Sequence, residues 1–250
     1  MKTKPPGDAS PQKGFQGPDG RVVRQMFGEI AHRYDFLNHV LSASIDRRWR
    51  RLAAATVEEY VRHVGAATCL DLCSGTGDLA IELHRRLKAP VVASDFCHPM
   101  LVRSLSKTRK LQLDGVVRTV EADALAIPFP TGTFDAVTIA FGLRNLEDAR
   151  KGLAEMRRVL KPDGVLVVLE FSQPVVPIVR KVFQFYFHRI LPRIGAWISG
   201  QKTAYQYLPD SVDRFPTQIE LMAMMEKTGL RNVSYRNLSG GIAALHWALK

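Results

Sequence analysis

The stretch LDLCSGTGDLA at residues 70–80 joins a short apolar run to a helix-like segment through a glycine-rich turn. This order of strand, glycine loop and helix marks the place where open parallel sheets bind their ligands. Gly75, Gly77 and Ala80 satisfy the spacing G-x-G-x-x-A. Asp95 follows about twenty residues after the loop, as in the dinucleotide-binding fingerprint. The glycines therefore predict a nucleotide-type site without choosing its ligand.

Short apolar runs alternate with helix-like segments on the carboxyl side of this loop. Runs such as VLVVLEF and AVTIAF are typical of parallel strands covered by helices on both faces. Pro162 and Gly164 predict a turn before the strand at 165–171. After a helix at 217–227, strands at 231–238 and 244–249 predict a closing hairpin. The remaining predicted strands are 68–73, 91–95, 117–123 and 134–141, and the remaining predicted helices are 78–88, 98–109 and 146–160. The fold class is α/β, a Rossmann-like doubly wound sheet, mostly parallel with an antiparallel C-terminal strand.

The amino-terminal part differs in composition from the rest. Residues 1–20 are rich in proline, glycine and lysine and predict a disordered tail. Helical spacing then predicts a helix from residue 22 onward, with an apolar stripe that continues to Tyr34 and Leu37. It also predicts a second helix over 49–64, which ends at Gly65. The stripe begins with Val23, Met26, Phe27 and Ile30. We expect one domain over 21–250, comprising an N-terminal helical cap at 21–64 and an α/β core at 65–250 with a helical insertion at 172–208.

The chain of 250 residues carries 35 basic and 24 acidic residues, a formal charge of +11. Such a charge suits nucleic acid or an anionic membrane surface. No long run of like charges and no aromatic RNA-binding motif is present, so we expect no nucleic-acid partner. The three cysteines lack metal-type spacing and their odd number argues against a disulfide framework. We expect a reduced, cytoplasmic protein with no metal site and no transmembrane helix.

Acidic residues around the glycine loop narrow the choice of ligand. Asp78 stands at the start of the helix, where a dinucleotide would place its pyrophosphate. Asp71 flanks the loop from the strand, and both carboxylates suit the ammonium and sulfonium groups of S-adenosylmethionine better than a phosphate. Asp95 would accept hydrogen bonds from the ribose of either ligand. Asp123, followed by Ala124, ends the next strand and could face an adenine edge, with a solvated strand end as its alternative.

Several longer motifs together resemble the ubiquinone/menaquinone biosynthesis C-methyltransferases. They are LDLCSGTGDLA, DALAIPFPTGTFDAVTIAFGLRN and RRVLKPDGVLVVLEF, joined by RYDFLN and LPRIG. The likeness runs from about residue 22 to residue 250 and implies the class I methyltransferase fold. It also implies methyl transfer from S-adenosylmethionine to a ring carbon of a polyprenylated demethylmenaquinol, or of the related ubiquinone precursor.

The resemblance also implies roles for individual residues. Cofactor contacts carry over to Thr76, Asp95, Asp123 and Ala124. Ala140 stands where the family's pattern has a serine, so a contact there would be apolar or through the backbone. Together with Asp71, Gly75 and Gly77, these residues form the predicted cofactor site.

Arg144 and Asn145 follow the fourth strand and are the candidate catalytic residues. An arginine is a poor base, so phenolate stabilisation or activation of a water is the role considered. A capping or ion-pairing role for Arg144 is the alternative. His246, in the last strand, favours a packed core histidine over a catalyst, and Tyr34 and Asp35 in the cap could fold over the cofactor or simply pack.

Residues 177–192 are apolar, aromatic and basic. Arg180, Gln184 and His188 fall on one line at four-residue spacing, and the opposite face holds Val179, Val182, Phe183, Tyr186 and Ile190. This segment could touch lipid at the inner face of the membrane, line a pocket for the prenyl tail, or pack on the sheet. A homodimer is one oligomeric state that the sequence allows. The functional alternatives are an NAD-dependent oxidoreductase and a non-enzymatic nucleic-acid or membrane adaptor with a vestigial pocket.

Overall fold

A computed structural model of the chain describes residues 15–33, 44–186, 189 and 202–250. Its centre is a seven-stranded sheet with the strand order β3-β2-β1-β4-β5-β7-β6. Only β7 among these strands runs antiparallel to its two neighbours, β5 and β6. The strands are β1 (Cys69–Leu72), β2 (Val91–Asp95), β3 (Val117–Glu121), β4 (Phe134–Ala140), β5 (Leu160–Phe171), β6 (Arg231–Leu238) and β7 (Ala243–Leu249). The predicted class, a mostly parallel α/β sheet with an antiparallel strand at the end, is confirmed.

Helices cover both faces of the sheet. Successive strand residues point to opposite faces, so Leu70 and Leu72 enter one core cluster while Cys69 enters the other. The helices are α1 (Gly20–Ile30), α2 (Ile45–Val61), α3 (Asp78–Leu87), α4 (His98–Lys110), α5 (Ala149–Val159), α6 (Pro177–Phe185), α7 (Lys202–Arg214) and α8 (Gln218–Lys227). Two hydrophobic cores, one on each face, therefore hold the parallel strands between helical layers.

The order of strands reverses beside β1, which pairs in parallel with β2 on one side and with β4 on the other. Connections from these strands leave to opposite faces, and a crevice opens between them at the carboxyl ends of the strands. The glycine loop that follows β1 lies at this point. The fold thus presents the loop where the sequence places the ligand site.

The predicted turn at Pro162–Gly164 is wrong, because these residues lie inside β5. Leu160 already pairs with Phe134, and pairing resumes with Val165 opposite Ala136, so the intervening residues bulge out of the ladder. Asp163 adopts a left-handed backbone with φ of 61° at this bulge. Proline and glycine therefore mark a bulge within a strand. The same two residue types also occur in turns between elements, so the sequence alone does not distinguish the two cases.

The prediction of a disordered tail fails for residues 15–20, which pack on the body of the protein. The ring of Phe15 meets that of Phe215 edge to face, with centroids 5.4 Å apart. The amide N–H of Gly17 donates to the carbonyl of Glu147 at 3.0 Å. A Cβ at Gly17 would lie 1.9 Å from the Leu146 carbonyl oxygen, so a glycine permits this close approach of two backbones. Residues 1–14, like Tyr34, Asp35 and Leu37, lie outside the described residues.

The two helices of the cap form within a few residues of their predicted bounds. Asp19 caps α1 by accepting a hydrogen bond from the Arg21 amide, and the helix ends at Ile30. The second helix, α2, ends at Val61 and buries Trp49, whose indole N–H donates to the Ser239 hydroxyl at 3.1 Å. Over the described part of the chain, no helix combines the length and the apolarity needed to cross a bilayer.

Candidate active site

A cavity of about 370 Å³ opens at the carboxyl ends of the central strands. It brings together the predicted residues Gly75, Asp95, Asp123, Ala124 and Ala140. Asn145, one of the two catalytic candidates, also lines it. Residues from the ends of four strands, β1 to β4, thus converge on one space, as they do in open α/β sheets that bind ligands.

Helix α1 forms one wall of this cavity. Asp19, Arg21, Val23, Arg24 and Phe27 all contribute to the lining. The Arg24 guanidinium carbon lies 5.3 Å from the centre of the Phe96 ring, which lines the cavity as well. The predicted helical cap therefore covers the ligand site directly, through α1 and the segment that precedes it.

Two backbone amides hold the Asp95 carboxylate in one orientation. Its Oδ2 accepts the Gly75 amide N–H and its Oδ1 accepts the Cys97 amide N–H, both at 2.8 Å. Burial raises the pKa of Asp95, and these two amides oppose that effect. Each oxygen keeps a lone pair, so the carboxylate can still accept hydrogen bonds from a sugar diol. Asp123 is fixed less firmly, through the Leu125 amide at 2.8 Å.

A second, smaller cleft of about 30 Å³ adjoins the glycine loop. Arg50, Asp71, Thr76 and Ala140 are among its lining residues. The Thr138 hydroxyl donates to Asp71 Oδ1 at 2.7 Å, while Asp71 Oδ2 is buried without a hydrogen-bond partner among the described residues. Burial raises the pKa of Asp71 to about 7. A buried carboxylate oxygen with nothing to accept from fits a ligand that carries an ammonium group.

Asp78 does not separate the two ligand classes in the way its position suggests. Its carboxylate lies 2.7 Å from Lys107 Nζ and 3.6 Å from Arg50 Nη1, so two cations balance its charge. The preference for a cationic ligand therefore depends on Asp71. Gly77 lies in neither lining: with φ of 85°, it packs where a Cβ would be 2.4 Å from Ser104 Oγ.

The two catalytic candidates, Arg144 and Asn145, differ in their position relative to the larger cavity. Arg144 is buried, lies outside the cavity lining, and pairs through Nη1 with Glu170 Oε2 at 2.9 Å. Burial raises the pKa of Glu170, and the Arg144 guanidinium opposes that effect. Asn145 faces the cavity, and its Oδ1 accepts the Tyr207 hydroxyl at 2.8 Å. Of the two roles considered for Arg144, the structure shows the ion pair.

Three polar residues of the site, Arg50, Glu170 and Tyr207, have no role assigned from the sequence. Arg50 comes from α2 and Tyr207 from α7, so only the fold brings them to the loop and to Asn145. Glu170 carries a signal, because it is the one acid inside the apolar run VLVVLEF. A charged side chain in a buried strand usually has a partner that balances its charge.

His246 lies away from both cavities. Its Nε2 is 2.9 Å from the Gln218 carbonyl, its ring stacks on Tyr235, and burial lowers its pKa to about 4. It is a packed core histidine, as the sequence favours. In the parts of the chain that the structure describes, no group of three or more His, Cys, Asp or Glu side chains could hold a metal ion.

Comparison with solved structures supports the fold. The crystal structure of the [4+2]-cyclase SpnF superposes with a TM-score of 0.68 at 15% identity, covering 94% of this chain and 97% of that one. A SAM-dependent methyltransferase from Aquifex aeolicus gives a TM-score of 0.55 at 21% identity, covering 77% of this chain and 88% of that one. Both similarities concern the architecture only.

Comparison with sequences is more specific. The demethylmenaquinone methyltransferase of Deinococcus radiodurans is 48% identical, over 94% of this chain and 95% of that protein. The protein of the same name from Thermus thermophilus is 49% identical, over 88% and 98%. The ubiquinone/menaquinone biosynthesis C-methyltransferase UbiE of Citrifermentans bemidjiense is 44% identical, over 92% and 97%. Residues 16–250 match the model of the ubiE/COQ5 methyltransferase family, and the chain belongs to that family.

Proposed function

We propose that this methyltransferase moves the methyl group of S-adenosylmethionine to a ring carbon of a polyprenylated demethylmenaquinol. The family match over residues 16–250 carries the proposal. The two cavities at the ends of strands β1 to β4 support it, because one has a volume of about 370 Å³ and the other is small and lined by charged side chains. Two of the relatives named above are demethylmenaquinone methyltransferases, which favours the naphthoquinol substrate.

The larger cavity suits the adenosine part of the cofactor. Asp95 would accept hydrogen bonds from the ribose hydroxyls, with its carboxylate already oriented by two backbone amides. Asp123 and Ala124 would face the adenine edge, and Phe96 and Met100 supply apolar surface for the ring. This division of polar and apolar groups is typical of nucleoside sites.

The smaller cleft suits the amino-acid end of the cofactor. Asp71 Oδ2 would accept a hydrogen bond from the ammonium group, which removes the cost of an unsatisfied buried oxygen. Arg50 lines the same cleft, and its guanidinium, which pairs with Asp46 and lies 3.6 Å from Asp78, would also attract the carboxylate of the ligand. Thr76 lines the cleft beside them. A zwitterion would therefore meet both a carboxylate and a guanidinium in this cleft.

S-adenosylmethionine supplies an electrophilic methyl group when bound. The reaction forms a bond from the ring carbon to methyl, breaks the bond from methyl to sulfur, and releases the ring proton. The protein's own contribution is alignment and exclusion of water, with polar groups near the reacting hydroxyl. Asn145 is placed for such a contact at the cavity wall, and Arg144 lies behind it in an ion pair.

A lipid substrate implies access from a membrane, and we propose that α6 meets the inner membrane surface. Its side chains form two apolar stripes. Phe183 and the C-cap residue Tyr186 pack against Val212 inside the protein, whereas Ile178 and Phe185 remain 74% and 63% exposed. Packing on the protein thus accounts for only one stripe.

The charge around α6 agrees with a membrane role. Between Glu170 and Asp210 the sequence contains no acidic residue but several basic ones, among them Arg180 and Lys181 on α6 itself. A basic, apolar helix binds anionic lipid by combining buried apolar area with charge attraction.

The test of the reaction is a methylation assay with two substrates. Purified protein, labelled S-adenosylmethionine and a reduced prenylated naphthoquinol should give labelled menaquinol. A prenylated benzoquinol in parallel tests the ubiquinone-pathway activity, which the name of the 44% identical relative includes. No product with either quinol would refute the proposal, and NAD binding in place of S-adenosylhomocysteine binding would favour an oxidoreductase.

The test of the membrane surface uses vesicles of phosphatidylglycerol and neutral lipid. Replacing Ile178, Val182 and Phe185 together by serine should lower vesicle binding by about tenfold or more, because each buried apolar side chain contributes about 1.5–3 kcal/mol. Methylation of a short-chain, soluble quinol should be unchanged. Ile219→Ser, at a residue that is 63% exposed on α8, is the matched control. Wild-type vesicle binding by the triple variant would exclude contact through α6.

A further inference from the structure

One polar network connects the buried end of β5 to the wall of the larger cavity. Glu170 is 1% exposed and fixes the Arg144 guanidinium, whose Nη1 also donates to the Phe141 carbonyl at 2.6 Å. The same carbonyl accepts a hydrogen bond from Asn145 Nδ2 at 3.1 Å. The ion pair of Arg144 and Glu170 thus fixes the position of the Phe141 carbonyl.

This arrangement settles which way the Asn145 carboxamide points. A carbonyl oxygen can only accept, so the Asn145 atom that faces Phe141 must be the nitrogen. The other end of the carboxamide is therefore Oδ1, and the Tyr207 hydroxyl 2.8 Å away must donate to it. One N–H of Nδ2 has no partner among the described residues, and Asn145 lines the cavity.

Tyr207 reaches this network from α7, the helix Lys202–Arg214. It is half-buried, and burial raises the pKa of its hydroxyl to about 12. A hydroxyl that keeps its proton and donates it to a fixed acceptor cannot serve as a general base near neutral pH. Its available role is to hold the acceptor in place.

We propose that Tyr207 is a positioning residue of the methyl-transfer site: by donating to Asn145 Oδ1, it aims the second amide N–H of Asn145 at the hydroxyl oxygen of the aromatic substrate. That N–H stabilises the negative charge which develops on the oxygen as the ring carbon attacks. The inference rests on the proposed methylation of a quinol, and it adds a residue and a role to that site.

The experiment is a double-mutant cycle on the full-length chain, with Tyr207→Phe, Asn145→Ala and the double variant. Loss of one hydrogen bond should lower the kcat of Tyr207→Phe about 3- to 10-fold. The KM for the cofactor should not change, because Tyr207 lines neither cavity. In the Asn145→Ala background, Tyr207→Phe should have no further effect on kcat, since the two act as one unit.

Tyr235→Phe is the matched control, because it removes the same atom from a tyrosine that stacks on His246 far from the cavity. It should keep the wild-type kcat. Equal losses of kcat from Tyr207→Phe in both backgrounds, or a wild-type kcat for Tyr207→Phe, would overturn the positioning role. Absence of turnover in the unaltered protein would instead count against the proposed reaction, so the two failures are distinguishable.

Discussion

The affinity for the cofactor should rise with pH between pH 6 and pH 7.5, because of Asp71. Burial raises the pKa of this carboxyl to about 7, whereas its ordinary value is 3.8. The neutral acid cannot balance an ammonium group, so binding requires the ionised form. A group with a pKa of about 7 is ionised in about one molecule in eleven at pH 6 and in about three of four at pH 7.5. The dissociation constant should therefore be about eightfold larger at pH 6.

The sign of the effect follows from proton linkage. Below pH 7 the unliganded protein holds a proton on Asp71 that the complex lacks, so binding releases a proton. Above about pH 8 the affinity should fall again, since the amino group of the ligand itself loses its proton there. Titration calorimetry of S-adenosylhomocysteine, in buffers with different ionisation enthalpies, measures both the dissociation constant and the protons released.

The variant Asp71→Asn distinguishes the contribution of Asp71 to the pH dependence from that of Asp95. The variant keeps an acceptor for the Thr138 hydroxyl and removes the charge. It should bind about 10- to 100-fold more weakly at pH 7.5, as expected for a lost hydrogen bond to a charged group, and the rise in affinity from pH 6 should disappear. Asp95, whose pKa is also raised by burial, would be responsible if the rise persisted in Asp71→Asn. Equal affinities of the wild-type protein at pH 6 and pH 7.5 would refute the reasoning.

Three further predictions concern the residues around the loop. Ala140→Ser should bind the cofactor about 2- to 10-fold more tightly, because Ala140 lines both cavities and a hydroxyl there can add one hydrogen bond; calorimetry measures it, and an unchanged affinity would count against direct contact. Gly77→Ala should lower the free energy of unfolding by more than about 1 kcal/mol in urea, because its Cβ would lie 2.4 Å from Ser104 Oγ, whereas Gly65→Ala, with open space around the Cβ, should not. Cys73 should resist alkylation by iodoacetamide at pH 8, because burial raises the pKa of its thiol well above the ordinary value; rapid labelling of Cys73 on a mass spectrum would contradict this.

The central strands β1, β4 and β5 could be predicted from the sequence because they are buried on both faces and their residues are almost all apolar. The bounds 91–95 and 231–238 match β2 and β6 to the residue. The bulge in β5 could not be predicted, because a proline and a glycine at positions 162 and 164 are as typical of a turn as of a bulge. Phe15 gave no periodic pattern, because a single ring packed on Phe215 does not repeat along the sequence.

The candidate site was predictable where a local motif or the order of the strands supplies its residues. Asp95 ends β2 and Asp123 comes just after β3, so the topology alone brings them to one edge of the sheet. The electrostatics depend on distant residues: Lys107 is 29 positions from Asp78 yet neutralises it, and Tyr207 is 62 positions from Asn145. Pairings of this kind become visible only after the chain is folded.

The buried carboxyl groups Asp71, Asp95 and Glu170 lie near the glycine loop, and the partners of each indicate which one a ligand completes. Burial raises the pKa of Asp71, Asp95 and Glu170 alike. Asp95 holds one backbone amide on each oxygen, and Glu170 has the Arg144 guanidinium. Asp71 has the Thr138 hydroxyl on one oxygen, and its other oxygen has no partner among the described residues. Because an unsatisfied buried oxygen costs about 1–3 kcal/mol, a cationic ligand that satisfies it regains this energy on binding. The preference for S-adenosylmethionine over a dinucleotide is therefore expected to reside in Asp71 rather than in the glycines on which the fingerprint is based.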